Sequence, residues 1–76
     1  MDVFVQTVSG KSIRSAGVTD VSVLWLNSYD ATQFTIEEFR NDFVLNKSQL
    51  VGITFKGNHT IFIGGDEIDY ITISNS

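Results

Sequence analysis

One stretch constrains the fold more than any other. In Phe34-Thr35-Ile36-Glu37-Glu38-Phe39, Thr35 is followed three residues later by Glu38. That is the spacing of a capping box, in which each side chain satisfies a backbone N–H left free at a helix start. Phe34 ahead of the cap and Phe39 at the fourth helical position make the matching hydrophobic staple. Glu37 and Glu38 put negative charge into the first turn, where the helix dipole favours it. Ile36, Phe39 and Phe43 then recur at steps of three and four, along one helix face. The spacing predicts a helix from about Ile36 to Leu45, with Asn46 as its stop.

The remainder reads as strands and turns. Val3–Val8 is rich in β-branched and aromatic residues and ends at Ser9-Gly10, with Lys11–Ser15 as a short return strand. In Val18–Asn27, Val21, Val23 and Trp25 alternate with Ser22, Leu24 and Leu26, so both faces turn apolar towards its end, as in a central strand. Trp25, between two leucines, is expected to be a core anchor. After the helix come Gln49–Lys56, His59–Ile63 and Glu67–Ile73. The expected class is α+β: one domain over residues 1–76, with a small antiparallel sheet of about five to six short strands. Their order is β-(β)-β-α-β-β-β, with the one central helix packed on the sheet.

Gly57-Asn58 and Gly65-Asp66 both suit two-residue hairpin turns, because glycine accepts positive φ without steric cost. Turns of that length pair Ile53 with Phe62, Ile63 with Ile68, and Ile61 with Tyr70. Alternation then places Val51, Ile53, Phe55, Phe62, Ile71 and Ile73 on a face for the helix to cover. The opposite face holds Ile61, Ile63, Ile68 and Tyr70, too apolar to stand in water. Either the amino-terminal strands fold over that face, as a second layer, or a partner or second copy of the chain does.

A chain of 76 residues buries only about 60% of its unfolded surface, which puts its stability at roughly 4–11 kcal/mol. It has no cysteine and one histidine, His59, so disulfides and the usual zinc ligand sets are excluded. Stability must come from packing, for which 42% hydrophobic residues suffice. No basic region precedes an apolar run at the amino terminus, and no window approaches a membrane span, so the cytoplasm is the expected location.

The formal charge of −4 is unevenly spread. Residues 1–17 carry net +1, whereas residues 18–45, with Asp20, Asp30, Glu37, Glu38 and Asp42 against Arg40, carry net −4. Such a surface repels nucleic-acid phosphates and attracts basic partners. Phe55, Phe62 and Tyr70 have the chemistry to stack bases, but only Lys11, Arg14 and Lys56 are at hand to provide a cationic patch beside them. Weak single-stranded nucleic-acid binding is therefore the least favoured reading.

Gly64-Gly65-Asp66-Glu67-Ile68 is similar over five residues to the GGDEF signature of diguanylate cyclases. A cyclase domain is much longer and needs a further metal-binding aspartate and a helix-lined nucleotide pocket, so the likeness reduces to the chemistry of a turn. Asp66, Glu67 and Asp69 offer carboxylates without the alternating spacing of a calcium loop, and His59 has no carboxylate or thiol partner. No nucleophile-elbow pattern occurs. No enzyme activity, cofactor or metal is expected.

The expectation is a non-catalytic, acidic protein-binding module. It would present Glu37, Glu38 and Asp42, with Asp30, to a protein partner, in one version a basic nucleic-acid-handling protein. Accessory proteins of bacteriophages and mobile elements that inhibit or modulate a host protein are of this type. The alternative is a homo-oligomer, or a small-ligand-binding module, using the face of Ile61, Ile63, Ile68 and Tyr70.

Overall fold

The computed structural model describes residues 1–75 as two antiparallel sheets and one helix. In chain order the elements are β1 (Asp2–Thr7), β2 (Ser12–Ser15), β3 (Asp20–Trp25), β4 (Thr32–Thr35), α1 (Ile36–Asp42), β5 (Leu50–Lys56), β6 (Thr60–Gly64) and β7 (Ile68–Ser74). A single 3-10 turn, Gly65–Glu67, joins β6 to β7. The three-stranded sheet has the order β2-β1-β7 and the four-stranded sheet the order β4-β3-β5-β6. The class is the expected α+β, with seven strands instead of five to six.

The additional strand is β4, which pairs with β3 through Val21 with Phe34 and Val23 with Thr32. Its four residues run straight into the helix cap, so Phe34 serves twice: in the sheet and as the staple. Thr35 caps α1 as expected: its Oγ1 accepts the Glu38 N–H (3.1 Å) and the Glu38 carboxylate accepts the Thr35 N–H (2.8 Å). The rings of Phe34 and Phe39 meet edge to face at 6.0 Å.

The helix ends at Asp42, three residues before the expected Leu45. Phe43 is already extended (φ −75°, ψ 131°), and its N–H donates to the Phe39 carbonyl. Asn41 and Asp42 are weak helix formers, as is the β-branched Val44. Leaving the helix lets the Phe43 ring stack on Phe39 at 4.3 Å and on Trp25 at 5.8 Å. Trp25 is thus a half-buried wall of an aromatic cluster that also takes in Phe55.

One core joins both sheets. Across the four-stranded sheet its rows are Phe34–Val21–Phe55–Ile61 and Val23–Ile53–Ile63, the second ending at exposed Thr32. The three-stranded sheet contributes Val3 beside Ile73, Val5 beside Ile71, and Ile68. The amino-terminal strands do form the second layer over the β5–β6 hairpin.

Two expected registers differ. Lys56 pairs with Thr60, leaving Gly57, Asn58 and His59 as a three-residue loop. The extra residue slips the pairing by one, so Ile53 meets Ile63 and Phe62 turns to the outer face. β6 and β7 do not pair at all. The 3-10 turn carries the chain across to the other sheet, where β7 lies against β1 from Asp2–Ser74 to Thr7–Ile68. The pairings of Ile63 with Ile68 and Ile61 with Tyr70 therefore do not form.

Candidate protein-docking surface

The two sequence-derived surfaces fare differently. Ile63 (3% exposed) and Ile68 (0%) lie inside the core, on strands of different sheets, while Ile61 is half-buried and only Tyr70 (54%) faces solvent. The four residues are no single apolar face. The 3-10 turn separates the strands that were expected to present them together.

On α1, Glu37, Glu38 and Asp42 are all exposed. At a helical turn of 3.6 residues, Glu38 and Asp42 fall in one line and Glu37 in the next. The Glu38 carboxylate is committed to the cap, which leaves Glu37 and Asp42 as its free carboxylates. The helix begins where the Ile36 N–H donates to the Thr19 carbonyl and ends where Phe43 stacks on Trp25. It therefore runs back alongside β4. The loop Leu26–Ala31 departs from that same Trp25 end, so Asp30 and Asp42 share one end of the molecule.

Beside the helix lies a groove of about 290 Å³. Phe39, Phe43 and Leu45 form one wall, and Ile71 and Ile73 of the edge strand β7 form the other. Tyr70 stands at its rim next to exposed Asp69. Arg40 lines it too, and its guanidinium donates to Asn75 Oδ1 at 2.9 Å, tying the helix to the end of β7. Sequence reasoning assigned Phe39, Phe43, Ile71 and Ile73 to a closed core. The early helix stop and the transfer of β7 to β1 leave a gap between them. Asn41-Asp42 was the available signal of that stop.

The remaining candidates do not converge. Asp66, Glu67 and Asp69 are exposed on the 3-10 turn and the start of β7, and among the described residues no three His, Cys, Asp or Glu side chains gather to hold a metal ion. His59 is exposed in the β5–β6 loop. Lys11 and Lys56 lie beyond opposite ends of β2: Lys11 precedes it, and the hairpin that follows Lys56 meets Ala16 through the Asn58 N–H. Between them Arg14 binds the Asp2 carboxylate and sits 5.9 Å above the Phe4 ring. The three cations share no groove. No helix of the described residues is long and apolar enough to cross a membrane.

The chain matches no protein-family model, no curated protein and no solved structure.

Proposed function

We propose that this chain is a non-catalytic protein-binding module whose α1–β7 groove seats a basic segment of a partner protein by its apolar side chains. One observation carries this: a groove with apolar walls lies next to a helix whose solvent side presents Glu37 and Asp42, and exposed Asp69 precedes its rim residue Tyr70. Apolar walls supply affinity through desolvation, and the surrounding carboxylates favour a cationic partner and speed its approach. Arg40, whose head group donates to Asn75, is a cation in the same lining, and Glu37 and Asp42 on the helix outnumber it. A partner that handles nucleic acid carries such a basic surface, and covering it would make this chain an inhibitor or modulator. The cytoplasm suits the role, since a chain without cysteines has no disulfide to lose there.

Selection of random displayed peptides on the immobilised chain tests the reading. Enriched peptides should combine Lys or Arg with large apolar residues. They should lose affinity with added salt, for the double variant Glu37→Lys/Asp42→Lys and for Leu45→Lys in the groove wall. Enrichment of neutral or acidic peptides, or binding indifferent to both variants, refutes it.

A further inference from the structure

The two sheets have four edge strands, and three of them carry protection against pairing with another chain. β2 and β4 are four residues each; β2 contains Arg14, and β4 is polar at Thr32, Gln33 and Thr35. β7 carries Asp69, has a register irregularity opposite Gln6 and Thr7, and is approached by Arg40 at its end. Short edges, charges and bulges are the usual devices that keep a bare strand from templating another.

β6 has none of them. Thr60-Ile61-Phe62-Ile63-Gly64 contains no charge and no proline, and its register with β5 is unbroken. Among the described residues its outer edge has no neighbour in the sheet. Phe62 is 62% exposed on the outer face, and its ring lies across the bare backbone of Gly52, where a Cβ would come within 2.5 Å of Cζ. Half-buried Leu24 pairs with that glycine from the other side.

We propose that β6 is a self-association edge: two copies pair antiparallel through it, joining their four-stranded sheets into one continuous sheet. Charge selects the occupant. Copies of net charge −4 repel one another over most of their surface, but β6 itself carries no charge, and the nearby Asp66 carboxylate lies only at its Gly64 end. The strand equally offers no charge to recruit a basic or acidic partner. A twofold axis through Phe62 sets Phe62 against its own copy, Ile61 against the partner's Ile63, and Thr60 against the partner's Gly64, with the exposed Phe62 pair as the apolar contact, since Ile63 is already buried in its own core. Five residues and one aromatic per copy fall below the roughly 1,000 Å² of a lasting interface, so the dimer is concentration-dependent. Salt screens the residual repulsion and strengthens it, opposite to its effect on basic peptides in the groove.

Sedimentation equilibrium of the full chain, up to about 1 mM and at low and high salt, reads the association; an interface of this size calls for that concentration range. A monomer–dimer equilibrium that tightens with salt is expected. Phe62→Lys should weaken it at least tenfold, while Val44→Lys, at an exposed site away from β6, should leave it unchanged. The absence of cysteines allows a second arm that does not depend on Phe62→Lys folding normally. Phe62→Cys should form a disulfide-linked dimer faster than Val44→Cys, because directly opposed residues of an antiparallel pair have Cβ atoms about 4.5–5.5 Å apart, within a small shift of disulfide reach. A monomer at every concentration, a dimer that Phe62→Lys leaves intact, or equal cross-linking of the two cysteine variants each overturns the proposal.

Discussion

The two glycines between β6 and β7 are adjacent in sequence and should respond in opposite ways to alanine. Gly64 has φ −67° and ψ 141°, which any residue adopts. A Cβ there meets only Asp66 Oδ1, at 3.2 Å, the free end of an exposed side chain. Gly65 is buried, and a Cβ there would run into the Leu50 carbonyl oxygen and lie 2.9 Å from its Cγ. A backbone oxygen in β5 cannot rotate aside, so the 3-10 turn would have to lift from the sheet. Overpacking of that kind costs about 2–3 kcal/mol. Set against a stability of roughly 4–11 kcal/mol, this lowers Tm by about 10–20 °C in a chain of this size. Gly64→Ala should be neutral or stabilising by about 0.4–1 kcal/mol, since it restricts the unfolded chain at no native cost. Urea titrations and thermal melts of the two variants, followed by circular dichroism, make the comparison. A Gly65→Ala protein within about 0.5 kcal/mol of wild type, the range of an ordinary surface substitution, refutes the steric argument. So does equal damage from Gly64→Ala, which would point to a backbone role common to both glycines.

Three further substitutions test other parts of the fold by the same melts. Thr35→Ala removes the acceptor of the Glu38 N–H and should cost about 1 kcal/mol, whereas Thr35→Ser, which keeps the hydroxyl, should cost less. Among the described residues Ser15 Oγ is buried without a hydrogen-bond partner, so Ser15→Ala should raise stability by about 1 kcal/mol; a fall of that size would mean the hydroxyl is satisfied in solution. Arg14→Ala strips the guanidinium from the largely buried Asp2 carboxylate and should cost about 1 kcal/mol, with Arg14→Lys recovering only part because it loses the planar contact over Phe4.

The helix start was legible to the residue, because the cap and the staple are local: Thr35, Glu38, Phe34 and Phe39 lie within six positions and need nothing from the rest of the chain. Its end was only partly legible: Asn41 and Asp42 signal a stop, but the stacking of extended Phe43 on Trp25, a distant residue, is not readable locally. β4 was hidden because Phe34 and Thr35 already had a reading as staple and cap. The hairpin error was one residue: Gly57-Asn58 suits a two-residue turn, yet His59 joins the loop, where its carbonyl accepts the Gly57 N–H. With a strand period of two, that slip decided which of Phe62 and Ile63 entered the core. Which sheet takes β7 is a matter of competition. Ile71 and Ile73 match Val5 and Val3 on β1, and nothing within Gly65–Glu67 announces it. The acidic helix was visible as charge, but the groove beside it arises only from the early helix stop and the moved strand together.

The pairing of Asp2 with Ser74 has a consequence for how the molecule can be rebuilt. Its first and last strands are neighbours, so a few-residue linker can splice them without crossing the surface. New ends can then be cut at Tyr29, whose side chain is wholly exposed at the tip of the Leu26–Ala31 loop. In such a circular permutant of these 76 residues β7 and β1 become a hairpin, and a pairing between residues 2 and 74 becomes a local one. The three-stranded sheet, which otherwise joins strands far apart in sequence, is then positioned to form early.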